Sequence, residues 1–100
     1  MNFARPPTGF IVTEPANFDA LIQGYAQKWP RVVAYWAATK ARLKMTGHKE
    51  GAAVGGNLSN RVFEAEGDAA SQLPTIRVAY HVLGDKLEFK KLVVLDPPAP

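Results

Sequence analysis

The run from Thr75 to Leu95, TIRVAYHVL-GD-KLEFKKLVVL, constrains this chain more than any other feature. From Thr75 to Leu83 residues alternate with a period of two, the signature of a strand with one buried face. Ile76, Val78, Tyr80 and Val82 point one way, and Thr75, Arg77, Ala79 and His81 the other. Gly84-Asp85 supplies a tight turn, and Lys86 to Leu95 returns as a second strand. In that strand Leu87 and Phe89 fit one apolar phase and Leu92 and Val94 the opposite one. A β-bulge at Lys90-Lys91 is therefore expected. Such a hairpin is not stable alone, so the rest of the chain must widen the sheet and cover its apolar face.

Two helices are available to cover it. Thr8 to Glu14 (TGFIVTE) reads as a short strand stopped by Pro15. Asn17 then reads as an N-cap, and Phe18, Leu21, Ile22, Tyr25 and Trp29 form one apolar helical stripe. Gly24 weakens this helix, which points to close packing there. Pro30 reads as the first position of a second helix, with Val32, Trp36, Thr39 and Leu43 inward, widened by Val33 and Tyr35. Gly47 is its expected C-cap, and Lys40, Arg42 and Lys44 complement the negative end of the helix dipole. Gly47 to Asn60 (GHKEGAAVGGNLSN) reads as a mobile surface loop, followed by a strand from Arg61 to Glu66. The expectation is an α+β fold in the order β-α-α-β-β-β, a helical hairpin packed on one face of a small antiparallel sheet. It is one domain over residues 1–100, with its core at about 8–95 and a loose PPAP-ended tail at 96–100.

Composition narrows the chemistry. The 100 residues contain no cysteine, which excludes disulfide scaffolds, thiolate metal sites and cysteine nucleophiles. His48 and His81 are the only histidines, too few for a histidine-built metal centre, so neither metal nor cofactor is expected. No apolar run approaches the ~18 residues of a membrane span, and no basic-then-apolar leader opens the chain. A cytoplasmic protein without a membrane partner is the expectation. GAAVGG lacks the lysine and hydroxyl spacing of a phosphate-binding loop, and Ser59 and Ser71 carry no nucleophile signature. The formal charge of +3 is unevenly placed. Residues 1–50, Arg5 among their cations, hold seven basic and three acidic side chains; residues 51–100 hold five and six. Six of the twelve cations fall between Lys28 and Lys49, where an anionic partner would dock if this is more than a solvated helix face.

The face of the sheet away from the helices should collect Arg77, His81, Glu64, Glu66 and Lys90 or Lys91. An arginine can stabilise a phosphate developing negative charge, and histidine or glutamate can move protons near neutral pH. These groups are sufficient for cleaving RNA through its own 2′-hydroxyl. The same pattern also fits a solvated face with cross-strand Glu–Arg pairs, each worth under ~1 kcal/mol. Tyr80 falls on the core side, where its hydroxyl needs a partner at the sheet edge.

A strand, a helical hairpin, a Gly-containing loop and three strands ending in IRVAYHVLGDKLEFKKLVVLD resemble the RelE/ParE superfamily of bacterial type II toxins. The penultimate strand of that family typically reads tyrosine-arginine-x-x-tyrosine-x-valine. The matching run is Ile76-Arg77-Val78-Ala79-Tyr80-His81-Val82, with isoleucine at the first tyrosine. A short acidic turn and an apolar last strand follow in both, and the resemblance covers about residues 8–95. It implies a toxin neutralised by a cognate antitoxin protein and acting on the ribosome as an mRNA endonuclease. The family's other branch inhibits DNA gyrase, and a protein-binding module of the same fold is a further alternative. Arg77 matches the arginine that contacts the scissile phosphate, and Arg61 falls near a basic position of the family. The endonucleases commonly carry an arginine, histidine or tyrosine after the last strand, where this chain has Asp96-Pro97-Pro98. His81 or Glu64 is then the expected proton carrier, with Tyr80 a further candidate. Lys40, Arg42, Lys44, Lys49, Lys90 and Lys91 are the expected nucleic-acid-binding set.

Overall fold

In the computed structural model, which describes residues 9–98, two helices and five strands follow in order. They are β1 (Ile11–Thr13), α1 (Asn17–Tyr25), α2 (Val32–Thr46), β2 (Ala52–Val54), β3 (Asn57–Ala65), β4 (Thr75–Leu83) and β5 (Lys86–Leu95). Arg5, Thr8 and the last two residues of the expected tail lie outside the described residues.

The α+β class is as expected, but the sheet is mixed. Its order is β1-β5-β4-β3-β2, with β1 parallel to β5 and every other pair antiparallel. The helical hairpin carries the chain from β1 to the far edge, and the meander brings it back beside β1 in the same direction. Side-chain period shows which face a strand buries, but it is blind to the direction of the neighbouring strand. The additional strand, β2, lies within the segment expected as a loop. Val54 pairs with Asn57 around Gly55 and Gly56, both at positive φ (63° and 75°), the backbone of a two-residue hairpin turn.

The bulge falls where the two apolar phases require it. Ala79 pairs with Lys91 and Tyr80 with Phe89, leaving Lys90 as the extra residue. Leu87, Phe89 and Leu92 are all buried, with Val94 packed against them, because that one residue resets the phase. On the helical side, Val32, Trp36, Thr39 and Leu43 are buried as the stripe predicts, whereas Val33 is 40% exposed. An aromatic chain crosses the core: Trp36 lies 6.2 Å from Phe18 and 5.8 Å from Phe89, which lies 6.1 Å from Tyr80. The Thr39 hydroxyl donates to the Tyr35 carbonyl at 2.9 Å, which makes its burial tolerable.

Helix ends depart from expectation in small ways. The Phe18 amide donates to the Pro15 carbonyl, so Ala16 occupies the cap position and Asn17 begins the helix. The Val32 amide donates back to Trp29, a turn that delays α2 and leaves Pro30 outside it. Gly24 is exposed, with nothing within 4 Å of where a Cβ would sit, so packing does not explain it. Gly47 does end α2, but with ordinary φ (−58°); its role is space. A Cβ there would lie 2.6 Å from the Leu43 carbonyl and 2.7 Å from Leu87 Cδ1.

Candidate functional site

The strand registers order the open face into rows. On β4, Arg77 stands between Glu64 of β3 and Val93 of β5; Ala79 stands between Val62 and Lys91; His81 stands between Asn60 and Glu88. Ala79 is therefore a small residue with Arg77, His81 and Lys91 around it and the apolar Val62 on its β3 side. Arg77 and His81 lie two residues before and after it, about 7 Å away, and Lys91 is its neighbour on β5 at about 5 Å. A shallow groove of about 210 Å³ is lined by Val62, Arg77, Ala79, Lys91 and Val93. The bulge put Lys91 here: an unbroken alternation from Leu87 would have turned Lys91 into the core and Lys90 outward.

Arg77 donates from Nε and Nη2 to one oxygen of Glu64, at 3.1 and 2.7 Å. Both side chains are about half exposed, so the pair is worth under ~1 kcal/mol and yields readily to a competing anion. His81 Nδ1 lies 2.6 Å from Asn60 Oδ1. Lys91 has no ion-pair partner among the described residues. Lys90, the bulged residue, lies 3.7 Å from Glu88.

Arg61 and Tyr80, both expected at the catalytic centre, stand on the other face of the sheet. They are cross-strand partners on the helix side, because Arg61 shares the phase of Phe63 and Ala65. Arg61 donates to the carbonyls of Glu50 (2.6 Å), Gly51 (3.1 Å) and Leu58 (3.3 Å), clamping the link from α2 to β2. The buried Tyr80 hydroxyl donates to the carbonyls of Gly47 (2.7 Å) and Glu50 (3.0 Å). Burial pushes its pKa up to about 12, with Arg61 pulling the other way and Glu50 adding to the rise. Such a phenol is a fixed neutral donor, and the sheet separates it from Arg77.

Glu66 is also displaced from the expected cluster. It follows the end of β3, where its carbonyl accepts from the Tyr35 hydroxyl at 2.9 Å. Burial, with a smaller contribution from the Glu66 carboxylate, raises the pKa of Tyr35.

The basic set divides between two flanks of α2. Lys40 pairs with Glu14 of the β1 flank at 3.3 Å. Arg42, two positions on and so across the helix, pairs with Glu50 at 2.8 Å and covers the Phe63 ring. Lys44 lies with Lys40 beside Val12 and Glu14. Lys44 and Lys49 have no ion-pair partner among the described residues. Two of the four helix-segment cations are thus engaged within the fold, and they do not form one patch.

Searches against family models, curated proteins and solved structures return no match.

The geometry thus retains Arg77, His81, Glu64 and Lys91 on one surface and assigns Arg61 and Tyr80 to the scaffold. Two residues that sequence reasoning passed over belong with the first group. Ala79 leaves the space between the polar side chains; its smallness in a strand of branched and aromatic residues was the available signal. Asn60 contacts His81; its place one residue before the expected strand start hid it. Among the described residues, no group of three or more His, Asp or Glu side chains is arranged to hold a metal, and no helix is long and apolar enough to cross a membrane.

Proposed function

We propose that this chain is the toxin of a bacterial toxin–antitoxin pair of the RelE/ParE kind, and that it cleaves messenger RNA on the ribosome. The observation that carries the reading is the ring of Arg77, Lys91 and His81 around Ala79. A backbone phosphate resting over Ala79 is within reach of all three side chains. Arg77, exchanging Glu64 for the phosphate, and Lys91 would bear the charge that grows on the non-bridging oxygens. The neighbouring 2′-oxygen attacks phosphorus while its proton passes to His81. The bond from phosphorus to the 5′-oxygen breaks, and that oxygen takes up a proton from the imidazolium or from water. The products are a 2′,3′-cyclic phosphate and a 5′-hydroxyl. Glu64, left beside the phosphate by Arg77, is the second candidate for the proton. Lys44 and Lys49 supply salt-sensitive docking to ribosomal RNA without reading its sequence.

Induced expression of the wild type is expected to arrest growth and to leave cut messages in primer-extension mapping. Arg77→Ala should relieve the arrest and lower cleavage by a factor on the order of 10² to 10³. An Arg77→Ala chain as toxic as the wild type, with messages intact in both, overturns the reading. One observation favours the gyrase-inhibitor or protein-binding alternative: Asp96, where the endonucleases carry a base, is paired with Lys28 at 3.0 Å. Intact messages together with inhibited supercoiling by purified gyrase would select that branch.

A further inference from the structure

We infer that Asn60 is the positioning residue of the open-face site: it fixes the proton of neutral His81 on Nδ1 and leaves Nε2 as the basic nitrogen. The two residues are directly opposed on β3 and β4, and His81 Nδ1 lies 2.6 Å from the amide oxygen of Asn60. A neutral imidazole carries one N–H, and the group bonded to one nitrogen decides where it sits. An acceptor oxygen at Nδ1 requires the proton there, so the lone pair is at Nε2. A free imidazole prefers the opposite arrangement, and Asn60 therefore reverses the default. Among the described residues nothing bonds Nε2. Glu88, on the other side of His81, is paired with the Lys90 ammonium at 3.7 Å. The contact also restrains the ring, which in a solvated strand position would otherwise sample several rotamers. A base must present its lone pair to the proton it takes, so rotamer and tautomer together decide whether His81 can serve a ligand over Ala79.

The role of this nitrogen in RNA cleavage rests on the function proposed above, but the proton's location does not. Nitrogen-15 NMR of the intact chain distinguishes the two tautomers directly, and His81→Gln identifies the His81 signals against those of His48. The wild type, with its ring neutral, should show the Nδ1–H form. Asn60→Leu should move the ring toward the Nε2–H form, and Asn60→Asp, whose carboxylate also accepts from Nδ1, should restore it. A wild-type ring in the Nε2–H form, or one that Asn60→Leu leaves unchanged, overturns the inference. In message mapping, Asn60→Leu should lower cleavage on the order of tenfold or more, with Asn60→Asp retaining most of it. Equal cleavage by wild type and Asn60→Leu, with the tautomer moved, overturns the positioning role. The expected tautomers with no cleavage by the wild type support the pairing and count against the endonuclease instead.

Discussion

The two faces of this sheet contain similar side chains in opposite circumstances. Under the helices, Arg61 and Tyr80 spend every polar atom that the fold engages on backbone carbonyls of residues 47–58. On the open face, Arg77 and His81 meet only other side chains, Glu64 and Asn60, at the surface. An arginine bonded to three carbonyls at a partly buried corner is part of the scaffold, since it ties the start of β3 to the link between α2 and β2. An arginine held by one half-exposed carboxylate is available for exchange. Residue type is thus a poor guide to role in this molecule. The partner, and the water it excludes, decide it.

Substitutions on the two faces should therefore separate stability from activity, and the largest expected effect is on the core. Leu87→Ala removes a fully buried side chain of β5 and should cost about 2–5 kcal/mol in denaturant unfolding. A loss below 1 kcal/mol would mean that the covered face is not packed as described. Tyr80→Phe should cost about 1–3 kcal/mol, because the Gly47 carbonyl loses its hydroxyl donor while the Glu50 carbonyl keeps only Arg61. It also carries a pH signature. The phenol rises from an ordinary 10 to about 12 on folding, so its contribution is complete below pH 10 and is lost as pH rises toward 12. The alkaline fall in Tm should be shallower in Tyr80→Phe than in the wild type; equal slopes would remove Tyr80 as its source.

Open-face changes should barely move stability. Glu64→Gln should alter unfolding by less than about 1 kcal/mol, and a larger loss would make the Arg77 pair structural. Ala79→Leu fills the space between Arg77, Lys91 and His81 without removing a charge. It should change Tm by a degree or two while abolishing binding of short RNA in fluorescence anisotropy. Retained binding would count against the phosphate site proposed over Ala79.

Much of the fold was legible because it rests on period. The bounds of β4 and β5, the bulge at Lys90, and the inward set of Val32, Trp36, Thr39 and Leu43 all follow from alternation or helical spacing. The direction of β1 was not legible, since a three-residue strand looks the same beside a parallel or an antiparallel neighbour. β2 is hidden in the sequence because Gly55-Gly56 fits a loose loop as well as the two-residue hairpin turn it makes. The open-face candidates were found because alternation separates Arg77 from Tyr80. Arg61 is a candidate through the resemblance alone, whereas its phase, shared with Phe63 and Ala65, puts it under the helices. Here it marks the end of the core, where a long side chain turns toward free carbonyls.

The pairing of β1 with β5 has a consequence for how the molecule comes into being. Thr13 and Leu87 meet across 74 residues of sequence, so the first described strand waits for the last before it has a neighbour. Contacts of such span close late, after the loop entropy between them has been met by nearer pairings. During synthesis Arg77 and His81 emerge from the ribosome before Lys91 and before Leu87, Phe89 and Leu92, which complete the core beneath them. A nascent chain stalled ahead of β5 has neither the full ring around Ala79 nor a finished layer to hold it. Among the described strands β5 follows all the others in sequence, so the ring around Ala79 and the layer beneath it come together only once that strand has paired.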